Sequence, residues 1–172
     1  MIKFKKIRWK NFLSTGDHWT EINFLEKNTN LIIGHNGSGK STLLDALTFV
    51  LFNKPFRKIN KSQLVNTVNE RECLVELEFD VNARDYVVRR GIRPNTFDIE
   101  VNGSPLHRQA DDRSNQRILE DNILKVNYKS FTQIVILGSS TFVPFMQLNA
   151  PNRREVIDCL LYTSPSPRDG RI

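Results

Sequence analysis

A glycine-rich motif that ends in lysine and serine constrains this chain more than any other feature of its sequence. Residues 34–41 read Gly-His-Asn-Gly-Ser-Gly-Lys-Ser, which fits the phosphate-binding pattern Gly-x4-Gly-Lys-Ser/Thr. Before the motif, Asn30–Ile33 is a short apolar run suited to a buried parallel strand. After it, residues 40–52 have helix length, with leucines one turn apart at 43, 47 and 51. Strand, loop and helix therefore follow the order that a nucleotide-phosphate site requires.

The residue types in the motif explain how it would hold phosphate. Glycine allows backbone conformations closed to other residues, so successive N–H groups can converge on phosphate oxygens, and the following helix adds its positive dipole end. The Lys40 ammonium can reach the β- and γ-phosphates, and the Ser41 hydroxyl can ligate Mg²⁺. A glycine-rich turn that merely caps a helix is the alternative. The predicted nucleotide-binding residues are Gly34, Asn36, Gly37, Ser38, Gly39, Lys40, Ser41 and Thr42, with Ser41 as the Mg²⁺ ligand.

Length and composition set the class of protein that can carry this motif. The 172 residues, with 39% hydrophobic and 26% charged side chains, suit one buried core and a small appended subdomain. No apolar run approaches membrane-spanning length, and no apolar core follows the basic N-terminus as in an export signal. The two cysteines, Cys73 and Cys159, have no metal-site spacing. We therefore expect a cytoplasmic protein without a membrane partner.

The chain is basic, and its basic residues cluster on two predicted strands. The net charge is +6, which permits attraction to nucleic acid without requiring it. For each cluster the plainer interpretation is a solvated strand face, and contact with a DNA backbone is the alternative. The first cluster contains Lys3, Lys5, Lys6, Arg8 and Lys10, and the second contains Arg84, Arg89, Arg90 and Arg93.

Periodicity predicts the remaining elements. Apolar residues at spacing two predict a strand over 2–12 with a bulge at Lys5–Lys6, and an antiparallel partner over 19–24. Three more strands form an antiparallel meander over about 72–102, which closes at Asn102–Gly103. A basic surface loop or short helical piece is predicted over 54–63, a helix over 110–125, a strand over Phe131–Leu137 and a last helix from near Pro151. Residues 159–172 lack periodicity, and we interpret them as a non-native or disordered tail.

Several of these segments resemble one family. They are Lys10–Phe12, residues 30–52, Phe131–Leu137 and Phe142–Met146. Together they resemble the N-terminal ATPase half of the SMC-like DNA-repair ATPases of the SbcC exonuclease-subunit type, over roughly residues 1–158. The resemblance implies an α/β fold: a P-loop NTPase of the ABC/SMC type, whose N-terminal lobe has a mixed sheet and an antiparallel β subdomain. On this interpretation the chain is an incomplete ATPase head.

The resemblance also implies cofactors, partners and a function. Two heads of such proteins enclose ATP and Mg²⁺, a metal-dependent nuclease subunit binds near the heads, and DNA is contacted without regard to sequence. The missing C-terminal ATPase half of the same protein would be a further partner. The implied function is ATP-gated head dimerisation that regulates DNA end processing in double-strand-break repair and recombination. An SMC-type DNA-tethering ATPase without a nuclease partner is one alternative, and a small-molecule P-loop kinase is another.

The chain departs from the family pattern at one position and lacks several of its parts. The family's loop glutamine, which senses Mg²⁺ and the γ-phosphate, falls at Gly138 or Ser139. Ser139 is the candidate sensor position, whereas Gln133 and Gln147 are poor candidates by register, so the second Mg²⁺ ligand is unassigned. There is no apolar run ending in Asp-Glu, no Ser-Gly-Gly signature and no heptad stretch. We therefore expect no catalytic residue to be assignable with certainty within this sequence.

Overall fold

The computed structural model describes residues 2–27, 29–106, 111–136 and 145–161, and Cys159 and Leu160 only as part of their helix. The chain divides into two compact units, the first up to Gln116 and the second from Arg117. The first unit contains a six-stranded antiparallel sheet in the order β2-β1-β3-β4-β5-β6. Its strands are β1 Ile2–Lys10, β2 Thr20–Asn23, β3 Cys73–Val81, β4 Arg84–Ile92, β5 Thr96–Val101 and β6 Ser104–Pro105.

The sheet confirms the predicted hairpin, bulge and meander and joins them into one layer. The register between β1 and β3 shifts between Phe4 and Lys6, where the bulge was predicted. Because β1 pairs with β2 on one side and with β3 on the other, the meander continues the first hairpin. Side chains alternate between two faces of a strand. One face of this sheet is accordingly apolar and buried, with Ile7, Trp9, Val75, Leu77, Phe79, Val88 and Ile99.

Helix α1, Thr42–Phe52, is the principal helix of the first unit, and nine of its eleven residues are buried. It contacts β3 and β4 of the sheet. It ends at Asn53, whose left-handed backbone (φ +58°) lets its N–H donate to the Phe49 carbonyl. The buried Arg90 and the neighbouring Gln116 donate to the next two carbonyls, at 3.1 and 2.8 Å. These bonds satisfy carbonyls that have no partner within the helix.

The second unit is helical, and it continues from α2, Asp112–Arg117, which begins in the first unit. A π-helical segment, Ile118–Leu124, extends α2, followed by α3 Tyr128–Ile134 and α4 Ala150–Leu161. Lys129 pairs with Glu155 at 2.7 Å and so links α3 to α4. The helices predicted over 110–125 and from near Pro151 are therefore confirmed. No helix among the described residues is long and apolar enough to cross a membrane.

The predicted buried strand Asn30–Ile33 is wrong for this structure. Residues 30–35 have no regular secondary structure, and the exposed fractions of Leu31 and Ile33 are 83% and 84%. A parallel strand needs hydrogen-bonded neighbours and cover on both faces. Within the described residues no strand pairs with this segment, so its apolar composition is not matched by burial.

The predicted strand Phe131–Leu137 is also wrong, because Tyr128–Ile134 is helical. Asn127 begins that helix by accepting a hydrogen bond from the Ser130 N–H at 2.9 Å, which is a typical N-cap interaction. Phe131 is buried and Val135 is exposed. A short apolar run does not by itself distinguish a strand from a buried helix. Residue 137, like Gly138 and Ser139, lies outside the described residues, as does the part of the predicted tail from residue 162 onward.

Candidate nucleotide-binding site

The loop from Gly34 to Ser41 has the left-handed backbone conformations that its glycines predict. Gly37 and Gly39 have φ angles of +86° and +88°, in the left-handed region that favours glycine. At Gly34, a Cβ atom would overlap the Ser38 Oγ, so a larger residue requires that side chain to move. The backbone therefore favours glycine at positions 37 and 39, and a larger residue at 34 fits only if Ser38 moves.

Lys40 lies against the carbonyl side of this loop. Its Nζ donates to the Gly34 and His35 carbonyls at 2.6 and 2.8 Å, which draws the ammonium into the curve of the loop. The next residues enter the first turn of α1, where the Thr42 N–H bonds to the Gly39 carbonyl at 2.9 Å. Ser41 is exposed and Thr42 is buried, so Ser41 has the accessible hydroxyl of the two. His35 is an exposed loop residue.

A buried carboxylate in the first turn of α1 brings a second cation to the site. Asp45 has no exposed surface, and its two oxygens accept hydrogen bonds from the backbone N–H of Arg57 at 2.9 Å and from its Nε at 2.6 Å. The Arg57 Nη2 lies 2.6 Å from the same carboxylate. Buried charges are generally paired in this way because an isolated one is costly. The pair attaches the loop that contains Arg57 to the phosphate-loop end of α1.

A cleft of about 570 Å³ opens beside the loop, within the size range of small-molecule sites. Six of the eight predicted binding residues line it: Asn36, Gly37, Gly39, Lys40, Ser41 and Thr42. Gly34 and Ser38 contribute to the loop itself without lining the cleft. The remaining wall was not predicted from the sequence; it consists of Leu13, Ser14, Arg57, Gln63, Val65 and Thr67. No motif identifies these residues, although Arg57 belongs to the segment predicted as a basic loop.

The residues present fit a nucleotide and part of a Mg²⁺ shell. The backbone N–H groups of the glycine loop and the Lys40 ammonium are donors of the kind that phosphate requires. The exposed Ser41 hydroxyl is a ligand of the kind that Mg²⁺ requires. Among residues 2–27, 29–106, 111–136 and 145–161, no group of three or more His, Cys, Asp or Glu side chains could hold a metal by itself. The Mg²⁺ ligands here would be the Ser41 hydroxyl and phosphate oxygens. The candidate sensor Ser139 lies outside the described residues.

Apart from Arg93, the two basic clusters lie on β1 and β4, whose side chains pair with carboxylates. Glu76, which is 3% exposed, lies between Arg8, at 2.6 Å, and Arg89, which also pairs with Glu100. Lys6 pairs with Glu78, and this hydrogen bond raises the pKa of Lys6. Further pairs join Lys5 to Asp85 and Lys10 to Glu72. Five cations of the predicted clusters are thus compensated within the sheet, which favours the interpretation as a charged strand face over that as a DNA-binding patch.

Comparison with known proteins agrees with this fold and loop. The chain belongs to the AAA domain family, whose profile matches residues 6–160. It is similar to "Exonuclease subunit 2" of Enterobacteria phage T4, with 42% identity over 92% of this chain and 28% of that protein. The protein of the same name from Escherichia phage RB69 gives the same figures. The chain therefore spans little more than a quarter of the length of these phage relatives.

More distant similarities extend to cellular proteins. The "DNA double-strand break repair Rad50 ATPase" of Thermoplasma volcanium is 31% identical over 91% of this chain and 17% of that protein. A structure solved in work on the ATP-driven dimerization and DNA-stimulated activation of SMC ATPases superposes with a TM-score of 0.64. At 24% identity it covers 92% of this chain and 99% of that chain, and it shows the fold. The resemblance to the SMC-like DNA-repair ATPases and the predicted fold class are thus confirmed, and neither the kinase nor the tether alternative is favoured.

Proposed function

We propose that this chain is the ATP-binding N-terminal part of an ATPase subunit in an exonuclease complex of DNA double-strand-break repair and recombination. The proposal rests on the loop before α1, in which two left-handed glycines and Lys40, bonded to the loop carbonyls, line a cleft. The names of the phage and archaeal relatives support the DNA-repair setting. The proposed domain comprises residues 1–158, with the meander at about 72–102 as its antiparallel part.

The roles of the loop residues follow from their positions. Backbone N–H groups of Gly34–Gly39 and of the first turn of α1 would bind phosphate oxygens, and the Lys40 ammonium would exchange its carbonyl partners for the β- and γ-phosphates. Asn36 and Thr42 line the same cleft. Ser41 would donate its hydroxyl oxygen to Mg²⁺, which supplies charge neutralisation at the phosphates when bound. Ser139 is proposed as the sensor position on sequence grounds alone.

The proposed partners are DNA, a second copy of the same head, a metal-dependent nuclease subunit and the C-terminal ATPase half of the same protein. The names of the relatives, exonuclease subunit and double-strand-break repair ATPase, support the nuclease subunit and DNA among these partners. We propose sequence-independent contact with the DNA backbone, which should weaken steeply as salt rises. A titration at several salt concentrations tests this contact, and a flat dependence would contradict it. We do not expect this DNA contact on the sheet face where the basic residues of β1 and β4 pair with carboxylates.

Substitution of Lys40 tests the proposed ATPase site. In the full-length protein, Lys40→Ala should lower ATP turnover by about 100-fold or more, because charge compensation at the transferred phosphate is lost. Lys58→Ala is the matched control, since Lys58 is an exposed lysine of the adjoining loop that does not line the cleft. Ser41→Ala should mainly weaken Mg²⁺-dependent binding. If Lys40→Ala hydrolyses ATP at the parental rate while Lys58→Ala is also unchanged, the assignment is wrong.

A further inference from the structure

Two turns contribute to the wall of the cleft outside the phosphate loop. The first follows β1 and contributes Leu13 and Ser14, and the second contributes Val65 and Thr67. They meet at a single pair of bridged residues, Phe12 and Val65, and at the bond from the Leu13 N–H to the Leu64 carbonyl at 2.7 Å. Neither turn belongs to the sheet, so their relative position depends on a small number of hydrogen bonds.

Asn66 supplies most of those hydrogen bonds. Its Nδ2 donates to the Leu13 and Thr15 carbonyls at 3.0 and 3.1 Å, and its N–H donates to the Asn11 carbonyl at 2.9 Å. Its Oδ1 accepts from the N–H groups of Val68 and Asn69 at 2.9 and 3.0 Å and so forms the second turn. Asn66 is only 7% exposed. One buried side chain therefore both shapes its own turn and attaches it to the other.

The turn after β1, to which Asn66 bonds, contains a residue with a strained backbone conformation. Leu13 has a φ angle of +54°, a left-handed conformation that is unfavourable for a bulky residue without tertiary constraint. The Leu13 carbonyl accepts from Asn66, and the Leu13 N–H is bonded to Leu64, so both polar groups of the strained residue are fixed by the second turn. Without these bonds Leu13 is expected to relax, which would displace it and Ser14 from the cleft.

We propose that Asn66 is a positioning residue that sets the wall of the cleft against the base and ribose of a bound nucleotide. This inference rests on the proposed function. Besides the phosphate loop, Arg57 and Gln63, the lining of the cleft of about 570 Å³ has two aliphatic side chains and two hydroxyls, from Leu13, Val65, Ser14 and Thr67. Apolar surface with a few polar groups is the usual lining for the organic part of a ligand. Asn66 acts on that part through the two turns, without lining the cleft itself.

The substitution Asn66→Asp separates this role from general folding. The carboxylate keeps the acceptor for Val68 and Asn69, but it loses both N–H donors and would turn an oxygen toward two carbonyls. In the full-length protein, binding of ATP and of inorganic tripolyphosphate is measured at equal Mg²⁺. Tripolyphosphate has the phosphates without base or ribose. We expect ATP affinity to fall about tenfold more than tripolyphosphate affinity, a difference of about 1.4 kcal/mol.

A second measurement follows the turns without any nucleotide. Amide hydrogen exchange of Leu13 should become faster in Asn66→Asp, while the amide of Thr42 in α1 should not change. Asn122→Asp is the matched control, because Asn122 is exposed in the second unit and should affect neither ligand. Lys40→Ala should weaken ATP and tripolyphosphate alike.

The outcomes distinguish this inference from the proposed function. Equal losses of affinity for ATP and tripolyphosphate in Asn66→Asp, or no loss of either, would overturn the positioning role. The proposed ATP site would still stand if Lys40→Ala weakens binding of both ligands. Unchanged exchange of Leu13 would also overturn it. A parental protein that binds neither ligand, or a Lys40→Ala variant that binds both as tightly as the parent, would overturn the proposed function and this inference with it.

Discussion

The segment that leads into the phosphate loop and the sheet beside it differ in how completely each is built within this chain. In the sheet, Leu77 of the central strand β3 has no exposed surface, and β3 is hydrogen-bonded on both sides. In the segment before the loop, Leu31 and Ile33 are more than four-fifths exposed, and no strand among the described residues pairs with them. Both regions are rich in aliphatic residues, so composition does not account for the difference.

The difference shows which parts of a site local sequence can specify. The loop conformation depends on glycines at fixed spacing and on bonds from Lys40 to carbonyls five and six residues away, all of which are local. The burial of Leu31–Ile33 depends on neighbouring strands that are distant in sequence. An unpaired apolar strand edge is a template for pairing with another chain. We propose that strands of the C-terminal ATPase half pair with this segment in the full-length protein.

The largest expected effect is on ATP hydrolysis by the 172-residue chain itself. It should release no phosphate above its Lys40→Ala variant, because hydrolysis needs an oriented water and a complete Mg²⁺ shell as well as a phosphate loop. Adding the C-terminal ATPase segment of the full-length protein in trans should produce both turnover and better solubility. Mg²⁺-dependent phosphate release by the chain alone, clearly above that blank, would contradict the proposal that the head is divided between two segments.

The next largest effect is on the free energy of unfolding, compared for a leucine-to-alanine substitution in each of the two regions. Leu77→Ala should lower the free energy of unfolding by about 2–5 kcal/mol, because it leaves a cavity in the core. Leu31→Ala should change it by less than about 0.5 kcal/mol, because its side chain is already exposed. Urea unfolding of the 172-residue chain at low concentration gives both values.

The same pair of variants sharpens the comparison in the full-length protein. If added strands cover the segment before the loop, Leu31→Ala should cost about 2 kcal/mol or more there, and approach Leu77→Ala. A cost that stays near zero in the full-length protein would mean that Leu31 is not buried by another strand, and the expected completion of the sheet would be wrong.

Sequence periodicity predicted the sheet well because its signal is internal to each strand. Alternation over β3 and the turn at Asn102–Gly103 gave the correct strands and faces, and the shift of phase in β1 gave the bulge. It failed at Phe131–Leu137, where seven mostly apolar residues fit a strand and a helix equally well. There the N-cap bond from Asn127 and the tertiary burial of Phe131 favour the helix. Neither interaction is visible in a pattern of apolar residues.

The candidate site was predicted on one side only. The phosphate loop follows from spacing, whereas the rest of the cleft lining comes from residues with no motif, such as Ser14 and Thr67. The two turns that carry them are joined in part by the buried side chain of Asn66, which donates to the Leu13 and Thr15 carbonyls. Similarly, the basic residues of β1 and β4 appeared as positive clusters because the chain order separates them from the carboxylates that neutralise them. Glu76 and Arg8 are 68 positions apart and form a bond of 2.7 Å.

The smallest expected effect concerns a thiol in the well-packed region. Cys73 of β3 is 1% exposed, and burial raises its pKa to about 12, with a smaller opposing influence from Lys61. Because the folded-state pKa lies above the unfolded value of about 8.5, the folded chain keeps the proton longer than the unfolded chain. The stability contributed by the buried neutral thiol is therefore fully present below about pH 8.5 and is lost as pH rises toward 12.

This prediction is measured by alkylation at pH 8.5 in a Cys159→Ser background, so that Cys73 is the single thiol. Iodoacetamide should modify the folded chain at least about 100-fold more slowly than the urea-unfolded chain, because the thiolate is the reactive form. A control chain with Cys73→Ala, Cys159→Ser and Ser104→Cys carries its thiol on the exposed strand β6 and should react at similar rates folded and unfolded. If Cys73 reacts as fast as the residue 104 thiol, the core around Cys73 opens readily, and the sheet protects its side chains no better than the exposed segment before the phosphate loop.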